Sequence, residues 1–380
     1  MKNLWLAGTL TVIFSSFGAY ATFDGIPAHH PIRGNSRPCC NFVPSPFTNV
    51  LKLSGFADPT RLGTHDFGSF VRKKKMAPPA GFEREVFGSL YSCRGGFIDL
   101  SHVRDNADWA ASIYRALLEN LGRGVTVPIH KEGGSEATSL VLPALSADRM
   151  AAMTPEKIRR MAVALAFDLG EFHEIATSFT MAVSGPPIFI IGDYIVNERS
   201  SAFSVEDAYS NLLGGYLGVE AAASALPYNS AMTKLLAERM AEIGALKPEG
   251  TKDVFESLKR IWWKPGMPTS RQPRKRNFQY EGVMTPKLPV GKAVTARCGE
   301  TSVPHTLEIP TVSSVTGFPD QEVAYVRIKA DRKFLRKMAK IGAKADANGY
   351  VTRAQFDQII PRIHDFWETK IPELDEFPTE

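Results

Sequence analysis

The stretch from Met161 to Met181, MAVALAFDLGEFHEIATSFTM, constrains this chain more than any other. Apolar residues at Met161, Leu165, Leu169, Phe172, Ala176 and Phe179 recur with helical period. Val163, Ala166, Phe167 and Ile175 widen that stripe until little of the surface stays polar, the pattern of a helix buried on all sides. Such a helix needs other helices around it. The expected fold is therefore α+β and mainly helical: a central buried helix packed by several others, with small β hairpins and a β-containing C-terminal portion. The same helix carries Asp168, Glu171, His173 and Glu174 within two turns. Charges on a buried helix are costly unless paired, hydrogen-bonded or bound to a metal, so the chemistry is sought here first.

The N-terminus reads as a processing signal. Lys2 supplies a positive n-region, Leu4 to Phe17 an apolar h-region, and Ala19-Tyr20-Ala21 a small-x-small cleavage site. Residues 1–21 are expected to be removed, leaving a periplasmic or secreted chain with no membrane-spanning segment. Residues 22–263 read as a main helical domain with an irregular, Pro- and Gly-rich N-terminal arm. Residues 264–277 (KPGMPTSRQPRKRN) read as a basic linker, and 278–380 as a smaller strand-then-helix portion, expected as short strands over Val283 to Ile328 and helices near 331–341 and 352–369. The net charge of +5 is diffuse and gives no reason to expect nucleic acid.

An exported chain meets an oxidising compartment, so Cys39, Cys40, Cys93 and Cys298 are disulfide candidates. Adjacent cysteines rarely bond each other, so Cys39 and Cys40 are expected to reach separately to Cys93 and Cys298. A thiol nucleophile built from Cys93 and His102 is the competing use of one of them.

Three helical segments bring polar clusters. His102 and Asp105 lie three apart and share a helix face, as do Glu171 and Glu174, and Glu206-Asp207 opens a third helix capped by Ser204. Imidazole and carboxylate groups converging from several helices make a zinc, manganese or iron site. The fragment HEIAT is half of the zinc motif HExxH, with Thr177 where the second histidine belongs. His102, His173 and Glu206 are then the expected metal ligands, and Glu174 the general base. Asp105, Glu171 and Asp207 are orienting groups or additional ligands, and Gly170 leaves space beside the cluster. The alternative is an internal network pairing these acids with Arg94, Arg104, Arg159 or Arg160. Near the C-terminus, Asp346-Ala347-Asn348-Gly349 resembles an EF-hand loop. However, Lys344 and Gln355 occupy its end positions, which reads as a decayed loop or a simple Asx turn.

The blocks CRGGFIDLSHVRDNADW, EFHEIATSF and SAFSVEDAYSNLLG together resemble a family of exported bacterial proteins, the domain of unknown function 4056. That resemblance implies an envelope location and no particular activity. The residues themselves lead to two expectations. One is a metal-dependent hydrolase acting on an unidentified envelope substrate. The other is a non-catalytic envelope protein, binding or structural, whose buried polar cluster fixes helix packing.

Overall fold

The computed structural model describes residues 23, 25, 26, 37, 56–68, 85, 86, 88–179, 202–262, 275–300 and 302–369. The leader segment, Cys39 and Cys40, and most of the basic linker lie outside them.

A short hairpin, β1 (Ser89–Ser92) and β2 (Gly96–Asp99), leads into α1 (Leu100–Asn120). A longer hairpin follows, β3 (Arg123–Ile129) and β4 (Ser135–Ala144), then the short α2 (Ala147–Ala151) and the long α3 (Pro155–Ser178). Beyond come α4 (Asp207–Ala222), α5 (Tyr228–Glu242) and α6 (Pro248–Ser257). The C-terminal portion contains β5 (Val283–Met284), α7 (Lys292–Cys298), β6 (Leu307–Glu308), α8 (Val312–Thr316), α9 (Asp320–Val323) and β7 (Tyr325–Ala330). It ends with α10 (Arg332–Lys340), β8 (Tyr350–Val351) and α11 (Arg353–Glu368). The fold is α+β and mainly helical. Most of 283–328 is not strand, because α7, α8 and α9 interrupt it.

The central helix is α3. Thr154 caps it, its side chain accepting from the Lys157 N–H, with Pro155 in the first turn and Glu156 favoured by the helix dipole. From Met161 to Ser178 every residue is buried. α1 and α4 pack against α3 and against each other, and glycine sets how closely. A Cβ on Gly214 would lie 2.2 Å from the Val103 carbonyl oxygen, and one on Gly218 2.2 Å from that of Ala107. Only hydrogen fits at those two positions, so the α4 backbone rests directly on the α1 backbone. Asp207, Asn211, Gly214 and Gly218 fall at helical spacing on that same face.

The C-terminal portion is built into the main domain. β7 pairs antiparallel with β4 (Leu140 opposite Val326, Thr138 opposite Ile328), giving one sheet in the order β3-β4-β7-β8. Leu140, Val326 and Ile328 face the core. α10 closes the other flank of α3, with the Phe334 ring 5.5 Å from Phe172 and 5.3 Å from Phe179.

Two expectations about the chain's connections are corrected. Cys93 bonds Cys298 directly, which removes the separate pairings with Cys39 and Cys40 and also any free Cys93 thiol nucleophile. The last three residues assigned to the linker, Lys275, Arg276 and Asn277, are buried rather than solvated. The Asn277 N–H donates to the Phe203 carbonyl at 2.9 Å. Arg276 donates to the Ala202 carbonyl and lies 3.7 Å over the Trp367 ring. They brace the turn that starts α4.

Candidate metal centre

α1 brings His102 to the site. Asp99, not Ser101, caps that helix: its carboxylate accepts from the N–H groups of Ser101 at 2.7 Å and His102 at 3.3 Å. The Asp99 N–H in turn donates to Ser210 Oγ of α4 at 3.0 Å, tying the two helix starts together. α3 brings Glu171, His173 and Glu174, and α4 brings Glu206 and Asp207 at its N-terminus.

One donor atom each from His102, His173 and Glu174 lies within 4.8 Å of the others, and all three residues are buried. Ligand atoms about 2.1 Å from a shared ion sit roughly 3–4 Å apart. The trio therefore needs to draw in by only about 1 Å to hold one. Asp207 Oδ1 is 3.5 Å from His102 Nε2, and Glu174 Oε1 is 3.9 Å from His102 Nδ1. The histidine rings meet edge to face, centroids 5.8 Å apart.

Each histidine is oriented by a group that sequence reasoning missed. His102 Nδ1 bonds Asn211 Oδ1 at 2.8 Å. Asn106 donates to that same oxygen, which fixes the Asn211 amide with its acceptor toward the imidazole. An acceptor there puts the ring proton on Nδ1 and leaves the Nε2 lone pair, beside Asp207, for a ligand. His173 Nδ1 lies 3.5 Å from Glu132 Oε2. Glu132 sits in the β3–β4 loop, whose turn is closed by Ser135 donating to the Glu132 carbonyl at 2.7 Å. No histidine or HExxH spacing announces Glu132 or Asn211. Their only sequence signal is polarity in segments that turn out to be buried.

The acids divide into two classes. Asp105 is held by Arg37 at 2.6 Å, and Asp168 by Arg353 at 2.6 Å. Asp105 thus belongs to a separate buried network with Asp108, Glu85, His65 and Arg104. It does not serve here as a partner to the histidines. Glu171, Glu174, Glu206 and Asp207 pair with no arginine or lysine among the described residues. Arg104 is taken by Glu85, Arg159 by Glu156 and Arg160 by Glu308, while Arg94 binds backbone carbonyls. Both oxygens of Glu171, and one each of Glu174, Glu206 and Asp207, find no hydrogen-bond partner among the described residues.

The sequence places Glu206 with the histidines and Glu174 apart as a base; the structure arranges them otherwise. Ser204 Oγ takes up Glu206 Oε1 at 2.7 Å, and the Ser204 N–H donates to Asp207 Oδ2 at 2.8 Å. Glu174 is tied on one side by the Phe203 N–H at 2.8 Å, and its other oxygen faces the histidines. Phe203 holds a positive φ of 56°, a conformation uncommon for a residue with a Cβ, at the turn that aims this N–H. Gly170 leaves no room for an ion: its space is filled by the Asn106 and Asn211 side chains, 2.9 and 3.1 Å from where a Cβ would lie.

Burial pushes the carboxyls up. Glu171 rises to about 8. Glu174 rises well above its ordinary value by burial and the neighbouring Asp207 charge, and Glu206 does so for the same two reasons. Asp207 is raised by burial against the opposing pull of His102. Burial lowers His102, but Asp207, Asp99 and Glu174 outweigh it and hold the imidazole above its usual value. An uncompensated buried charge costs several kcal/mol, against a whole-protein stability of about 5–15 kcal/mol. Four such carboxylates call for protons or a cation. These buried histidine and carboxylate groups could hold a metal ion.

Residues 29–289 match the family described as a protein of unknown function, DUF4056. The chain belongs to that family. The DUF4056 region contains α1, α3 and α4 and so every residue of the candidate centre, whereas β7, α10 and α11 lie beyond it. No curated protein and no solved structure matches the chain.

Proposed function

We propose that this protein holds a divalent transition-metal ion between α1, α3 and α4 and uses it for hydrolysis in the cell envelope. The observation that carries the metal reading is the set of buried carboxylate oxygens without hydrogen-bond partners among the described residues, around two oriented histidines. His102, His173 and Glu174 would be ligands, with Asp207 placed to join them through Oδ1. Mixed imidazole and carboxylate donors suit zinc, manganese or iron. A divalent ion at such a site supplies Lewis acidity toward a bound carbonyl or phosphoryl oxygen.

With three protein ligands a fourth position stays open, the pattern of catalytic rather than closed zinc sites. Glu171, one turn before Glu174 and with neither oxygen hydrogen-bonded among the described residues, is then placed to carry a proton. Glu206, hydrogen-bonded to Ser204, orients the start of α4. An envelope location is supported by the leader-like N-terminus and by the Cys93–Cys298 disulfide, a bond that persists in oxidising compartments.

A non-catalytic metal or polar centre is the second reading, favoured by burial: no residue of the cluster is more than 4% exposed. The two separate in one experiment. The metal-loaded protein is screened against ester, amide and phosphoester substrates, alongside a Glu171→Gln variant that retains its metal. Turnover lost on chelation, restored by metal and reduced in the variant supports hydrolysis. Metal retention without turnover on any of the three classes sinks the enzyme reading and leaves the structural one.

A further inference from the structure

α10 combines five cations with no acid: Arg332, Lys333, Arg336, Lys337 and Lys340 in a nine-residue helix. Its apolar residues Phe334 and Met338 are buried, and Lys337 turns inward to the Phe179 carbonyl. Arg332, Lys333, Arg336 and Lys340 are exposed.

Lys340 stands in the last turn, where the helix dipole favours a cation, but the other three exposed cations have no such reason among the described residues. Arg332, Arg336 and Lys340 recur every fourth position, and like charges at that spacing weaken a helix. Arg332 and Lys333 stand in the first turn, where the helix dipole disfavours cations. Among the described residues no carboxylate pairs with any of the four. The Arg336 Nε–H donates only to a backbone carbonyl, that of Arg332, at 3.2 Å. Beyond the helix Lys344 is exposed, and the exposed Asp346 follows two residues later. Lys329 does not extend the positive face: its Nζ donates to the Asn348 carbonyl and lies 4.9 Å over the Tyr350 ring.

We propose that the exposed face of α10 docks on an anionic lipid membrane. Charge complementarity selects an anionic partner, and the disulfide chooses among polyanions. A chain carrying Cys93–Cys298 works where thiols oxidise, away from nucleic acid. The mode of binding follows from the helix's own packing. Phe334 and Met338 are committed to the core, so this helix has no apolar face to insert. Attachment is through headgroup charge alone, and is reversible and screened by salt. The matched family region ends before α10, so this surface adds to whatever the metal centre does.

The test is co-sedimentation of the full chain with vesicles of phosphatidylcholine alone or mixed with phosphatidylglycerol. The expected result is binding only to the mixed vesicles at low salt, lost as salt rises. Arg332→Gln, Arg336→Gln and Lys340→Gln combined should weaken it on the order of a hundredfold, about fivefold per cation. The same number of exposed cations removed elsewhere, at Arg123, Lys234 and Lys252, should matter far less. Thermal melting of the α10 variant should be unchanged or improved, since repulsion is removed, and this shows that the variant is folded. No binding to the mixed vesicles, an equal loss in both variants, or tighter binding to duplex DNA than to the vesicles would each overturn the proposal.

Discussion

His102 donates from Nδ1 to Asn211 Oδ1 at 2.8 Å across 109 positions of sequence, and that bond decides which face of the imidazole is open. The same amide oxygen accepts from Asn106, one turn along α1 from His102, so the orientation is held from two sides. Removing the acceptor frees the ring to rotate and to change tautomer. Asn211→Ala is expected to weaken metal binding about 10–100-fold, the usual effect of losing a ligand's hydrogen-bond partner. Competitive titration against a chelating dye measures it. An unchanged affinity would mean that His102 is not a ligand through Nε2.

The close approach of α1 and α4 makes a second prediction. Gly214→Ala and Gly218→Ala each drive a methyl group into a backbone carbonyl oxygen 2.2 Å away, which cannot swing aside. Overpacking typically costs about 1–3 kcal/mol, and here the helices must separate, taking Asp207 away from His102. Gly215→Ala meets only Val163 Cγ1, at 3.4 Å, and should be mild. Urea denaturation of the three variants checks the contrast, and equal midpoints would contradict it.

Arg37 supplies a third. Its guanidinium bonds Asp105 at 2.6 Å, Asp108 at 2.8 Å and Glu85 at 2.9 Å, all with little solvent. Arg37→Ala leaves Asp105 without its cation and Asp108 and Glu85 with only His65 and Arg104 as ion-pair partners, and breaking a buried pair costs about 3–5 kcal/mol. Arg159→Ala breaks an exposed pair with Glu156 and should cost about 0–1 kcal/mol. Melting temperatures of the two variants should therefore differ widely.

The fourth concerns pH. Glu171 keeps its proton in the folded, metal-free protein up to about 8, while an unfolded glutamate loses it near roughly 4.3. Glu174 and Glu206 are raised in the same direction. Between those limits the folded state binds more protons, so stability falls as pH rises, by up to about 1.4 kcal/mol per pH unit for each such group. The raised His102 acts with the same sign, since its bound proton also stabilises the fold and is lost as pH increases. Chelator-treated protein should thus melt at a higher temperature near pH 5 than near pH 8. Added metal displaces those protons and should stabilise most at the higher pH. A metal-free melting curve rising with pH would refute the assignment.

Much of the helical frame was legible because local rules agree with the final packing. Thr154-Pro155-Glu156 starts α3, Asp331 caps α10 with its carboxylate on the Phe334 N–H, and Thr352 with Gln355 forms a capping box before α11. The Asx turn at Asp346 is of the same kind, its carboxylate accepting from the Asn348 and Tyr350 N–H groups. Residue chemistry pointed to His173 and Glu174 because charge on an all-apolar helix is conspicuous, and to His102 through the polar cluster it forms with Asp105 on a separate helix. What stayed hidden depends on distant partners. Nothing local says that Arg37 in the N-terminal arm faces Asp105, that Glu132 in a hairpin loop faces His173, or that β7 completes the β4 edge. Which of Glu174 and Glu206 lies beside the histidines was equally invisible, since it depends on Ser204 bonding Glu206 and the Phe203 N–H bonding Glu174.

Metal content separates a metal centre from a polar network. Elemental mass spectrometry of the purified chain, beside His173→Ala and Glu174→Gln, should find near-stoichiometric zinc, manganese or iron in the parent. Both variants should lose it if Glu174 is a ligand as proposed, since one of its oxygens lies within 4.8 Å of a donor atom on each histidine. No bound metal in the parent, with no stabilisation on adding any of the three ions, would contradict the account and leave four buried carboxyls neutralised by protons alone.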